Sequence, residues 1–253
     1  TNEELSDVAA LRAFAEAVER MTKDTLAVEL EPFAAVEPLL RYIAVDRALK
    51  NWDGIMAFYA PTSPHNFFWY HDDGPEGRFH LIPWDLDNTL WIFDPYMNPR
   101  DWVTAPPIPD FNEQPVDCEP RVIWELASTQ RLTPPRCDRL LDALAESAWP
   151  RLVEIGRELV LGAMAPARLD ELIDGWVPLL EPLVAEDPTL DRDVWRQHVA
   201  EFRAIVAEAS DEFEAFLAEG LIVESARTVP EAPPAADLTM VTSDGGLHVG
   251  ALT

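Results

Sequence analysis

The chain reads as a mainly α protein with one small antiparallel β element. Three observations carry that reading. Apolar residues recur at helical spacing over most of the chain. Strand-type patterning is confined to a short aromatic run and its partner within 67–83, with a shorter trace near the C-terminus. Of the 253 residues, 48% are apolar, including eleven Phe and nine Trp. That is enough to bury a core and to exclude global disorder, and the length admits one large domain or two small ones.

Residues 7–22 predict a first helix, because Val8, Leu11, Phe14, Val18 and Met21 recur at spacings of three and four and Ser6 suits an N-cap. A second helix is expected over 33–50, with Phe33, Val36, Leu40, Ile43 and Ala44 on its apolar face. Pro38 should fall near its first turn or kink it, and Asn51 and Gly54 are stop signals. Then Phe67-Phe68-Trp69-Tyr70 meets the turn cluster Asp72-Asp73-Gly74-Pro75-Glu76-Gly77. Beyond it Phe79, Leu81 and Pro83 alternate with Arg78, His80 and Ile82. Two such runs joined by a Gly- and Pro-containing turn predict a hairpin, with Pro83 at a strand end or edge.

Residues 94–120 hold seven prolines and little periodicity, which predicts a long loop or lid. Helices are expected near 121–131, 134–147, 149–162, 166–185 and 191–219. The last has Val194, His198, Phe202, Ile205, Phe213 and Phe216 near its inner face, and Gly220 suits its C-cap. The tail 221–253 is Pro-rich at 230–234. It ends in Leu238-Thr239-Met240-Val241, a Ser-Asp-Gly-Gly turn and Leu247-His248-Val249, a pattern for a small hairpin. The expected organisation is one domain over 1–220 and a tail over 221–253, with no internal repeat.

Nineteen basic and 46 acidic side chains give a formal charge of −27. Nucleic acid is therefore a poor partner, as is an anionic membrane surface; a basic protein substrate or a metal ion suits the field. Lys23 and Lys50 are the two lysines, and Arg carries the remaining positive charge; genome composition, secretion and salt adaptation all produce this. Cys118 and Cys137 are either a disulfide or two free thiols, and two cysteines make no zinc framework. No apolar run approaches the roughly 20 residues of a membrane span. The chain starts at Thr1 and shows no signal peptide, which leads to the expectation that its N-terminus has been removed.

The chemistry-bearing residues gather around the hairpin. Asp85 and Asp87 lie two apart at the exit of its second strand, a hard oxygen pair suited to Mg²⁺ on phosphates. Asp53 lies in the loop after the second helix, and Asn66 opens the first hairpin strand. A hairpin brings its outer ends together, so Asn66 is expected near Asp85. Helix, acidic loop, amide, hairpin and acidic turn, in that order, follow the catalytic half of the protein-kinase fold.

Longer stretches carry a more specific likeness. Arg41-Tyr42-Ile43-Ala44-Val45-Asp46, Asn51-Trp52-Asp53-Gly54, His65-Asn66-Phe67-Phe68-Trp69-Tyr70 and Phe79-His80-Leu81-Ile82-Pro83-Trp84-Asp85-Leu86-Asp87-Asn88-Thr89 together resemble the CotH kinase family. These are atypical protein kinases, secreted or of the spore coat. The resemblance covers about 7–90 through motifs and 121–219 through helix order. It implies a kinase-like C-lobe, ATP, a divalent metal (Mg2+ or Mn2+), and transfer of phosphate to Ser or Thr of a protein substrate. It also implies an extracytoplasmic, cell-surface or spore-coat location. Asp53 would be the catalytic aspartate, and Asn66, Asp85 and Asp87 would hold the metal and nucleotide phosphates.

Two features depart from the family pattern. The resemblance implies an amide a few positions after the catalytic aspartate, whereas an insertion, 55–64, separates Asp53 from Asn66. No glycine precedes Gly54, so no glycine-rich nucleotide loop lies upstream in this chain. Neither lysine falls in a strand, and Lys50 is placed at most to touch a transferred phosphate. The expectation is a C-terminal portion of a kinase-like protein, inactive alone.

Plainer readings stand beside these. Asp85, Asp87 and Asp53 also suit turns, and Asn66 the start of a strand. His65, His71 and His80 surround the hairpin, with His71 and His80 placed to face each other across strands, but no third ligand has zinc spacing. The functional alternatives are a non-catalytic kinase-like scaffold or surface interaction module, and a metal-dependent hydrolase using the same carboxylates.

Overall fold

The structure, a computed structural model, describes residues 9–22, 24–51, 54–55, 58–60, 66–72, 74, 77–86, 89–90, 121–125, 129–133, 138–219, 238–243 and 246–251. Helices predominate. In chain order they are α1 (Ala9–Arg20), α2 (Leu26–Leu30), α3 (Val36–Ala48), α4 (Arg139–Leu161), α5 (Pro166–Glu186) and α6 (Arg192–Glu219). The strands are β1 (Phe58–Ala60), β2 (Phe67–His71), β3 (Phe79–Pro83), β4 (Arg121–Glu125), β5 (Thr129–Thr133), β6 (Leu238–Ser243) and β7 (Gly246–Ala251).

The expected hairpin forms as β2 against β3, antiparallel, from Phe67 opposite Pro83 to His71 opposite Phe79. Its turn is closed by Asp72, whose carboxylate accepts from the Gly74 N–H at 2.9 Å and contacts the His80 ring at 2.7 Å. The C-terminal hairpin also forms, β6 on β7. One sheet departs from expectation: β1, β5 and β4 pair antiparallel, in that order, so 121–131 is not a helix. Val122-Ile123-Trp124 is a short apolar run of β-branched and aromatic residues, which periodicity alone does not separate from a helical turn. The insertion 55–64 contributes β1 to this sheet.

The expected pair of helices over 134–147 and 149–162 is a single helix, α4, with Pro150 inside it. A proline removes one internal hydrogen bond, but Trp149, Leu152 and Ile155 are buried immediately around it, and their burial favours continuing the helix. The Asp138 carboxylate caps α4 by accepting from the Leu141 N–H at 2.9 Å. Phe33 lies in a turn rather than in α3, after the unforeseen short helix α2, and Pro38 sits in the first turn of α3. On α6, Phe213 and Phe216 are buried and Phe202 and Ile205 half-buried, whereas Val194 and His198 are exposed and not on an inner face. The segment 94–120, Gly220, Cys118 and Cys137 lie outside the described residues.

The core forms where α3 meets α4 and the C-terminal half of α6. Leu40, Ile43 and Ala44 of α3 are buried with Leu141, Leu144, Leu152 and Ile155 of α4 and Phe213, Phe216 and Leu217 of α6. Phe14 of α1 extends it to the hairpin, stacking on Phe79 at 5.0 Å and meeting the Trp69 edge at 5.3 Å. The Phe79 N–H donates to the Phe33 carbonyl at 2.5 Å, fixing β3 to the turn before α3. On the surface, Arg151 of α4 grips Glu37 of α3 with two N–H bonds, at 2.6 and 2.9 Å.

This packing has two measurable consequences. Gly156 lies where α4 crosses α6, and a Cβ there would meet Leu217 Cδ2 at 2.5 Å. Gly156→Leu should lower stability by about 1–3 kcal/mol through overpacking, read as a lower midpoint in urea; an unchanged midpoint refutes the close crossing. The Arg151 guanidinium, and secondarily Arg41, hold the Glu37 carboxyl below its ordinary 4.5. A depressed carboxylate contributes stability above its unfolded-state value and loses it as pH falls through the folded one. Glu37→Gln should therefore cost about 0.2–1 kcal/mol at neutral pH, the pair being partly exposed, and progressively less as the pH falls below the ordinary carboxylate range, in paired urea titrations.

Candidate active site

The end of α3 is built around a buried carboxylate. Asp46 is 4% exposed and Asn51 1%. After Ala48 the chain turns through Lys50, whose φ of 50° is left-handed, and folds back onto the helix it has just left. The Asn51 N–H donates to the Asp46 carbonyl at 3.1 Å, and its Nδ2 to Asp46 Oδ1 at 2.8 Å. Gly54 then passes so close that a Cβ would overlap Asp46 Oδ1 and come within 2.6 Å of Asn51 Nδ2. Only glycine fits that path. The Tyr42 phenol lies against the same carboxylate, and burial first, then Asp46, push its pKa far above the ordinary range. It stays protonated throughout the working range of a protein. Ile55, buried in the core, anchors the loop's far side.

The open end of the hairpin supplies the second half. Asn66 and Asp85 flank the paired strands and both take left-handed backbone, φ 63° and 52°. Asn and Asp tolerate that region better than other side-chain-bearing residues. The Trp84 N–H donates to the Asn66 carbonyl at 2.8 Å, and Asn66 Nδ2 donates to the Asp85 carbonyl at 3.3 Å. The expectation that the hairpin brings Asn66 beside Asp85 holds. The Asp85 side chain is exposed.

A hydrogen bond joins the two halves. Leu86 begins a short turn in which the Thr89 hydroxyl donates to the Leu86 carbonyl at 2.8 Å. The Leu90 N–H then donates to the Leu49 carbonyl at 2.6 Å. The chain leaving the acidic turn is thereby attached to the end of α3, where the Asn51–Gly54 loop begins. Asp53 and Asp87 lie outside the described residues, though their neighbours Gly54 and Leu86 lie within them.

Lys50 pairs with Glu212 of α6 at 2.8 Å rather than standing ready for a phosphate. His71 lies opposite Phe79 and His80 opposite Tyr70, so the two histidines project from opposite faces and do not face each other. His80 instead pairs with Asp72, whose carboxyl it holds below the usual range. No group of three His, Cys, Asp or Glu able to hold a metal occurs among the described residues, a set without Asp53, His65 and Asp87. The donors that the hairpin end does present, a carboxylate and an amide, are hard oxygens, which suit Mg²⁺ or Mn²⁺ better than zinc.

Asp46 and Tyr42 are the residues that sequence reasoning missed. Asn51 and Gly54 read as helix stop signals within stretches that carry the family likeness, and nothing local distinguishes an inward Asp46 from a solvated one. The one usable signal was an Asp, an Asn five residues on and a Gly three beyond that, a spacing at which a chain can reverse onto its own helix. Asn51→Ala removes a donor from a buried carboxylate and should lower stability by about 1–3 kcal/mol, with Gly54→Ala at least as damaging. Urea unfolding monitored by tryptophan fluorescence measures both; wild-type midpoints would contradict the latch.

The family description CotH kinase protein matches residues 1–212, a span from α1 well into α6 that contains all four candidate site residues. No curated protein matches the chain.

Proposed function

We propose that this chain, which belongs to the CotH kinase family, supplies the catalytic lobe of an atypical protein kinase that moves phosphate from ATP to Ser or Thr of a protein partner. Residues 1–220 form the kinase-like C-lobe in this reading, and 221–253 a Pro-rich tail. One observation carries it: the Leu90–Leu49 hydrogen bond attaches the segment after the acidic turn to the end of the helix that leads into Asp53. Family membership makes the protein kinase-like and points to ATP with a divalent metal; the residue roles are our inference.

Asp53 accepts or orients the proton of the attacking hydroxyl. Asp85 is the principal metal ligand, supported by Asp87 and Asn66. Asn66 Nδ2 donates to the Asp85 carbonyl, which ties the amide to the Asp85 backbone. A bound Mg²⁺ or Mn²⁺ would neutralise charge on the transferring phosphates. The latch of Asp46, Asn51 and Gly54 positions the loop in which Asp53 lies. A net charge of −27 favours a basic protein substrate over an acidic one. None of the described helices is long and apolar enough to cross a membrane, and a surface or spore-coat location accords with the family.

The test is radiolabel transfer from ATP by the full-length protein. Asp85→Ala should reduce transfer at least about 100-fold while the protein stays folded by circular dichroism, its melting temperature lowered by a few degrees because Ala tolerates the left-handed backbone there less well than Asp. Chelation of divalent metal should abolish transfer, and added Mg²⁺ or Mn²⁺ should restore it. Retained transfer by Asp85→Ala refutes the assignment. Phosphate release without an acceptor identifies a hydrolase instead, and the absence of any ATP- and metal-dependent thermal shift identifies a scaffold.

A further inference from the structure

Helices α5 and α6 form an antiparallel pair that leaves the core. On α6, the described buried residues begin at Val206, and none of 192–205 is buried. On α5, Ile173 and Val184 are buried. Arginines hold the pair together along its length. Arg203 bonds Asp170 and Asp174, and Arg192 and Arg196 converge on Glu181 at 3.0 and 2.6 Å.

The apolar stripe of α5 is wider than α6 covers. Trp176, Leu179, Leu180 and Leu183 repeat at i, i+3, i+4 and i+7, the spacing of one helix face, and all four are exposed, Leu179 at 69% and Leu183 at 60%. Leu190 in the turn and Val194 in the first turn of α6 are exposed as well. A helix bearing an apolar face of this width is one that a third helix completes. Helices offer no free strand edge, so an extended peptide has no backbone ladder to join here.

Charge identifies the occupant. Glu186, Asp187, Asp191 and Asp193 are exposed around the tip. Asp187 accepts from the Thr189 N–H and hydroxyl at 2.8 and 2.7 Å, which hold its carboxyl below the usual range. Asp191 accepts from the N–H groups of Asp193 and Val194 at 2.8 and 3.0 Å. The nearby cations, Arg192 and Arg196, are committed to Glu181, and Arg196 also reaches Asp193 at 3.5 Å, which leaves Glu186, Asp187 and Asp191 as the acids that set the charge of the tip. The face is thus apolar along its centre and anionic at its end. A second copy of this chain carries the same charge of −27 and is repelled, and so is an anionic bilayer.

We infer that the exposed face of α5 docks an amphipathic helix of a partner protein, one with an apolar stripe flanked by Lys or Arg. None of the candidate phosphoryl-transfer residues belongs to α5 or α6, so the inference stands or falls independently of catalysis. The probe is a synthetic helix of about five turns, with Leu at i, i+3, i+4 and i+7 and Lys on both flanks, monitored by fluorescence anisotropy. Wild-type protein should bind it with a Kd on the order of micromolar, weakening as salt rises. Leu179→Asp with Leu183→Asp should weaken binding at least about tenfold, and Glu186→Lys, at the C-terminal end of α5, should weaken it about twofold or more. All three sites are exposed, so circular dichroism and melting temperature should match wild type. Equal affinity for the variants, or for the same peptide with Glu replacing Lys, overturns the proposal. So does sedimentation as a dimer that the Leu179→Asp, Leu183→Asp variant dissolves, or binding to anionic vesicles in place of the peptide.

Discussion

A carboxylate buried at the end of a helix must be satisfied, and the candidate site is arranged around that requirement. Left alone, Asp46 would cost several kcal/mol or take up a proton. It is met by the Asn51 amide and lies against the Tyr42 phenol, which forces the chain after α3 to reverse tightly and makes glycine necessary at position 54. The loop's path is therefore set from inside the protein. Its neighbour, the acidic turn after β3, is attached to the same helix end through Leu90. Core and site meet at one point: Ile43 and Ala44 hold α3 against α4 and α6, and Asp46 directs the path of the chain beyond the helix.

The arginines show how a chain of charge −27 keeps its helices together. Arg41 and Arg151 tie α3 to α4 through Glu37 and Glu158, and Arg192, Arg196 and Arg203 tie α5 to α6. Guanidinium groups reach two carboxylates at once, which a lysine does less well. Each exposed pair contributes little, but together they set which helix faces lie against one another. The acids left over are at the surface, and at the tip of the α5–α6 pair they border apolar side chains.

Much was legible without coordinates where a pattern is long or where turn chemistry is explicit. The β2–β3 hairpin followed from Phe67–Tyr70, the Gly- and Pro-containing turn and the alternation through Pro83. Helices α1, α3, α5 and α6 followed from their periodicity, and Asn66 beside Asp85 followed from hairpin geometry alone. Failures came where local signals conflict. Five residues such as Arg121–Glu125 are too few for a period to declare itself, so the pattern there predicts helix where the fold has a strand. Pro150 is a helix breaker by propensity, yet Trp149, Leu152 and Ile155 are buried on both sides of it, and burial wins.

The sequence by itself determined the predominance of helix, the hairpin with its flanking acids, the charge and the family likeness, because each is a local or additive property of the residues. Only the tertiary structure decided that Asp46 points inward, that Asn51 and Gly54 close over it, that 121–125 and 129–133 join 58–60 in a sheet, and that one apolar face of α5 stays exposed. These depend on contacts between residues far apart in the chain or turned toward one another by a particular backbone path. A pattern read along one dimension records which side chains can be buried, and the three-dimensional packing selects which of them are.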